Sequence, residues 1–172
     1  MRCYSYVTEN RYAFTSSILL HPVRLKNSES TERDAELVIV GQSIADSARG
    51  PTIATGDLND VAWSSTTRLF RKLSGLLDPR IGRGMFNTFH AHYPFLRWPL
   101  DHLFHSEHFT VNSLLRLPSF GSDHFALLTR LTYSPVRGAD QKGLEADDDD
   151  LKRANEIAAK KNVTSTDVPQ PD

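Results

Sequence analysis

The stretch TIATGDLND, Thr52 to Asp60, runs a strand of small residues straight into a glycine, two carboxylates and an amide. Thr52–Thr55 reads as a short buried strand, and Gly56–Asp60 as the loop at its carboxyl end. Asp and Asn readily bond their own backbone, so a lone Gly-Asp-x-Asn is most simply a turn. The same residue types also suit one wall of a site that handles phosphate. The rest of the chain has to decide between the two.

The surrounding pattern is that of a layered α+β chain. Tyr12 to Leu20 reads as a strand that ends at His21-Pro22, because the proline biases His21 away from helix. Ser30 or Thr31 can cap a helix carrying Glu32, Asp34 and Glu36 in its first turns. The run Leu37–Val40 would also suit a strand. Its continuation through Gly41, Ile44, Ala45 and Ala48 has helical spacing, and Gly50-Pro51 ends it. Beyond the loop, Ser64 or Ser65 caps a second helix with Leu69, Phe70 and Leu73 on one face and Gly75 near its end. Asp78–Trp98, rich in Gly, Pro and His, reads as an irregular surface excursion. Strands are expected at Leu100–Ser106, Phe109–Leu117 and Phe125–Tyr133. A strand–helix–strand–helix order followed by a run of strands indicates a mixed sheet with helices.

Bulk composition narrows the class. The 172 residues are 39% hydrophobic and 24% charged, enough for one globular core. No apolar run is long enough to span a bilayer. The single cysteine, Cys3, excludes an internal disulfide. From Asp140 on there are nine acidic and five basic residues, so this tail carries −4 and the preceding 139 residues about +3 of the overall −1. A mildly basic body is compatible with a phosphate-bearing substrate but does not by itself argue for nucleic acid. We therefore divide the chain into a domain over 1–134 and an acidic tail over 135–172. In the tail, ADDDDLKRANEIAAKK suits an exposed helix, and a solvated tail is the plainer reading.

Two further clusters accompany GDLND: WPLDHLF at 98–104 and GSDHFAL at 121–127. Asp101-His102 lies in an apolar strand, where an unpaired carboxylate is costly and so has a partner. Adjacent strand residues face opposite sides, so only one of the two can enter a given site. Asp123-His124 opens a strand after Gly121-Ser122, and taken alone His124 could be a surface histidine. Asp57 and Asn59, two apart, can share a face. Asp60 reads as a turn residue or helix-entry acid, and His105 and His108 as surface residues near a hairpin. Arg80, Arg83 and Arg97 in the excursion would suit phosphate capture or simply face solvent.

The ordered set, Gly-Asp-x-Asn, then Asp-His within a strand, then Gly-Ser-Asp-His, resembles the endonuclease/exonuclease/phosphatase superfamily of deoxyribonuclease-I-like phosphohydrolases. LLHP at 19–22, WSS at 63–65 and NTFH at 87–90 are similar to further segments of that family, and the resemblance covers roughly Ile18 to Tyr133. It implies a layered α/β/β/α sandwich and a metal-dependent phosphohydrolase acting on a phosphodiester or phosphomonoester, with Mg2+ or Mn2+. It implies that Asp57 aligns and helps deprotonate the attacking water, and that Asn59 fixes the water or the phosphate. His124 would contact a phosphate oxygen while Asp101 accepts from its other ring nitrogen. Asp123 would sit at the metal, and His21 would be a second phosphate contact. The substrate would be a phosphate ester of nucleic acid, phospholipid or inositol phosphate. No protein partner is implied.

The chain also departs from the family pattern. There, a strand bearing an Asn and then a metal-ligating Glu precede the histidine segment, whereas only about twenty residues precede His21 here. Glu9 lies too close to His21 to be that ligand. The expectation is that mainly the second half of the sandwich is present. That leaves an alternative: a catalytically dead remnant of the fold, acting as a binding or interaction module. An unrelated α+β domain with structural acidic turns is a third reading.

Overall fold

A computed structural model describes residues 19–22, 30–47, 50–138 and 140–159. Cys3, Glu9, the Tyr12–Ile18 part of the first predicted strand, Ala48 and the tail beyond 159 lie outside the described residues. The fold is α+β. Strand β1 (Leu19–Pro22) runs parallel to β2 (Thr52–Asp57), which pairs antiparallel with β3 (Asp101–His105). Strands β4 (Phe109–Arg116) and β5 (Leu127–Tyr133) form a separate antiparallel hairpin with an irregularity between Val111 and Ser113. No helix among the described residues is long and apolar enough to cross a membrane.

The strands of the first sheet are two-faced for a reason visible in their alternation. Thr52, Ala54 and Gly56 are buried, and so are His102 and Phe104 opposite them. That face is covered by α1 (Ser30–Asp46) and α2 (Ser65–Ser74). Small Ala54 sits in register with Phe104, whose ring meets Phe70 of α2 at 5.1 Å, with Leu37, Val40 and Ile44 of α1 completing the core. Each buried aromatic of this kind is worth about 1.5–3 kcal/mol in area removed from water. The run Leu37–Val40 is helical, as its continuation indicates. It is buried nearly all round because α1 is also packed by helix α4 (Asp148–Ala159), through Val38 against Ala154. The tail stretch is thus a helix with one edge docked, and Lys72 of α2 bonds Asp150 at its start. A short helix, α3 (Pro135–Gly138), precedes it.

The other face of the first sheet, carrying Ile53, Thr55, Asp57, Asp101 and Leu103, is only half-buried. It is this face that holds the candidate site.

Helix α2 shows how locally the chain specifies its entry and exit. Ser64 has extended backbone and its hydroxyl accepts the Thr67 N–H at 2.9 Å. The same hydroxyl donates to Asp60 Oδ2, which also accepts from Thr67 Oγ1 at 3.2 Å. Asp60 is therefore the helix-entry acid. Gly75, at φ 69°, closes the helix in the left-handed region and returns its N–H to Arg71 O. Ser64→Ala should cost about 1 kcal/mol, the usual worth of such a cap, read from the urea unfolding midpoint. An unchanged midpoint would mean that Asp60 alone holds this turn.

The segment 78–98 differs from its expected surface character at its base. Asp78, Pro79, Arg80 and Thr88 are buried. Arg80 donates from Nε and Nη2 to both carboxylate oxygens of Asp78, and its Nη2 also reaches His102 Nδ1 at 2.8 Å. Arg80 is therefore structural here. Polar composition predicts exposure only when the polar groups lack partners, and these two are partnered two residues apart. His105 is likewise buried, against the surface expectation, because Leu77 exchanges both backbone hydrogen bonds with it and lays the loop over the strand end.

Candidate active site

The pairing of β2 with β3 places Asp57 directly opposite Asp101. Both side chains stand on the half-buried face, away from the helices. Like charges directly opposite across a sheet are destabilising, so a stability argument alone would not put them there. Asp57 shows the effect. Burial foremost, with the charges of Asp101 and Asp123, raises its pKa above the ordinary carboxylate value, although the Asn59 N–H and His124 pull it down.

The third member arrives from the far end of the chain. Gly121, at φ 98°, turns the backbone, and Ser122 Oγ accepts the His124 N–H at 3.1 Å. The segment 87–91 then ties this turn to β3. Thr88 Oγ1 accepts the Asp101 N–H at 3.1 Å, Thr88 O accepts the Phe125 N–H at 2.8 Å, and Asp123 O accepts the Ala91 N–H at 2.7 Å. Thr88 has no solvent exposure. It is a positioning residue that its spacing in the chain does not reveal; only the similarity of NTFH to the family segment hinted at it.

The result is a compact line of three groups. His124 Nδ1 lies 2.7 Å from Asp101 Oδ2, and His124 Nε2 lies 3.9 Å from Asp57 Oδ2. One ligand atom from each of Asp57, Asp101 and His124 falls within 4.8 Å of the others. With Asp101 accepting at Nδ1, the second ring nitrogen faces Asp57 at a separation too long for a hydrogen bond. A proton acceptor, a phosphate oxygen or a hard cation could be served there.

The remaining predicted residues are placed as follows. Asn59 is exposed in a left-handed turn at φ 48°, and its N–H donates to Asp57 Oδ1 at 2.9 Å. Asp57 thus uses one oxygen for the turn and turns the other toward His124, so the turn and the site are one feature. The strand ends at Asp57, so strand alternation does not link Asn59 to it; what joins the two is the Asn59 backbone N–H on Asp57 Oδ1. Asp123 is exposed beside the group, receives Ser122 Oγ at 3.4 Å, and is not one of the three residues within 4.8 Å. His21 has its backbone in β1, in register with Ala54. Asp101 and His102 do face opposite sides: His102 is buried toward Arg80 and Asp60.

The sequence model of the Endonuclease/Exonuclease/phosphatase family matches residues 2–124. Among curated proteins there is no match. The matched span contains Asp57, Asp101 and His124, and it covers well over half of the chain. The chain belongs to the endonuclease/exonuclease/phosphatase family, whose members are phosphoester hydrolases that typically depend on a divalent metal.

Proposed function

We propose that the chain hydrolyses a phosphodiester or phosphomonoester at Asp57, His124 and Asp101, with Mg2+ or Mn2+ as the cation. The observation that carries this reading is the convergence of an in-register carboxylate pair and an imidazole within 4.8 Å, on a face the helices leave uncovered. The donor set suits such an ion: two carboxylates, with the Asp123 charge in reach, supply the anionic oxygen that hard cations require. Asp123 would hold it, with the Asp57 and Asp101 carboxylates adding their charge from beside it. When bound, the cation would neutralise charge on the phosphate oxygens and stabilise the leaving oxygen.

The chain's own groups divide the remaining work. Asp101 accepts the Nδ1 proton of His124, fixing the tautomer and aiming Nε2 at a phosphate oxygen. Asp57 Oδ1 is anchored by the Asn59 N–H, which leaves Oδ2 to align the attacking water and take its proton. The Asn59 amide, exposed on the turn, fixes the water or the phosphate, and His21 gives a second phosphate contact. The domain over 1–134 would be the second half of a layered α/β/β/α sandwich, with 135–172 as an acidic tail. The half-buried sheet face and the exposed Leu115, Leu117, Phe120 and Leu128 of the hairpin support that architecture. Those same leucines favour the second reading, a dead remnant that binds a partner. Nucleic acid, phospholipid and inositol phosphate are the substrate classes to screen.

The test is hydrolysis of bis(p-nitrophenyl) phosphate and p-nitrophenyl phosphate by the purified full chain. Turnover is expected with Mg2+ or Mn2+, to vanish with EDTA and to return on adding excess metal. A soluble, cooperatively folding chain without turnover on either ester or on the three substrate classes would leave the remnant reading in its place.

A further inference from the structure

An open cleft of about 440 Å³ is lined by Trp63, Arg71, Asp78, Arg80, Arg83 and Met85, and by none of Asp57, Asp101 or His124. Its size falls within the range of small-molecule sites, about 300–1,000 Å³. Its charge is unbalanced. Asp78, the one carboxylate in the wall, is occupied by Arg80. Arg71 and Arg83 form no ion pair among the described residues, and Arg83 Nη1 bonds only the carbonyls of Pro79 and Ile81.

Two of the guanidinium donors are also unsatisfied. Arg80 is 6% exposed, and its Nη1 makes no hydrogen bond; Arg71 Nε is buried in the same condition. Burial foremost, and then the Arg80 and Arg68 charges, lower the Arg71 pKa against the pull of Asp78. An unpaired buried donor is costly, and more so when charged. An oxyanion in the cleft offsets the repulsion between the arginines, and a guanidinium matches it geometrically. The rim opposite is apolar and open: Trp63 is 58% and Met85 51% exposed. The turn that begins at Asp57 ends at Trp63, so the two sites share one short segment of chain.

We propose that this cleft is a second anion subsite. It takes a phosphate of the substrate other than the scissile one, with the attached apolar or aromatic group against Trp63 and Met85. That the ligand is part of a substrate rests on the hydrolase reading above; that the cleft takes an aryl or alkyl phosphate does not.

The experiment uses the full chain carrying Trp98→Phe, which leaves Trp63 as its one tryptophan. Phenyl phosphate and, separately, inorganic phosphate are titrated in EDTA, and Trp63 emission is read. Both should give saturable changes, tighter for phenyl phosphate. Arg71→Gln should weaken binding about tenfold or more, the worth of one charged hydrogen bond. Met85→Glu, at an exposed position that should not disturb folding, should do the same by repulsion. His124→Asn should leave the titration unchanged. No saturation, equal affinity for the two phosphates, indifference to both substitutions, or loss on His124→Asn would each overturn the subsite. Saturable binding without metal-dependent hydrolysis would sink the hydrolase reading alone.

Discussion

Asp57→Asn is expected to lower hydrolysis by about 10²–10⁴-fold, the usual contribution of a positioned general base, while leaving the chain as stable as before or slightly more so. The two halves of that expectation come from the same carboxylate. Its Oδ1 accepts the Asn59 N–H, and an asparagine oxygen can do the same, so the turn survives. Its negative charge, however, sits across the sheet from Asp101, and burial together with that neighbour already raises its pKa. Removing the charge removes a conflict that folding does not need. Activity retained by Asp57→Asn would end the mechanism proposed here. Lost activity together with a fall in the unfolding midpoint would instead make Asp57 a structural turn residue. The separation of the two readouts, kcat falling and stability not, is what a catalytic carboxylate produces and a purely structural one does not.

The elements of this fold were legible wherever local rules and tertiary packing agree. Ser64, Gly75 and the spacing of Leu69, Phe70 and Leu73 specify α2 on their own, and it runs Ser65–Ser74. The alternation Asp101-His102-Leu103-Phe104 likewise specifies which residues share a face. Chemistry was legible as order along the chain: three acidic segments that proximity in sequence does not link, yet the structure brings Asp57, Asp101 and His124 together. What escaped the sequence depends on partners that spacing cannot reveal. Arg80 reads as a solvent-facing or phosphate-seeking loop arginine, yet Asp78 and His102 hold it in the interior. Arg71 drew no notice in the last turn of α2, because only the fold of 78–85 over that turn places it beside Arg80 and Arg83. His105 escaped for a related reason, its burial depending on Leu77, which no periodicity connects to it.

His102 sets a pH window for stability that should be measurable apart from any catalysis. Arg80 Nη2 can only donate, so His102 Nδ1 accepts it, and the proton of the neutral ring must lie on Nε2, donated to Asp60 O at 2.8 Å. A second proton would go onto Nδ1, buried and facing a guanidinium. Burial foremost, and then the Arg80 charge, bring the pKa down to about 4, with Asp60 O and the Asp78 charge opposing. In the unfolded chain the ring titrates near 6.5. Above that value neither state holds the extra proton, and the contribution of His102 is complete. As the pH falls from about 6.5 toward 4, the unfolded chain takes up a proton that the folded chain refuses, and stability is lost. The gap amounts to about 3 kcal/mol when fully traversed. His105, whose pKa is also lowered by burial, adds in the same direction, whereas Asp78, held low by Arg80 in spite of burial, begins to matter only below the ordinary carboxylate value. Urea unfolding in EDTA at pH 7.5, 6 and 5 should therefore show a steady fall. His102→Gln, whose amide can accept from Arg80 and donate to Asp60 O without titrating, should flatten it, whatever the substitution costs at pH 7.5. A parent chain equally stable at all three values would mean that the His102 ring titrates alike in the folded and the unfolded chain, and a variant that keeps the full slope would place the slope on other groups, His105 first.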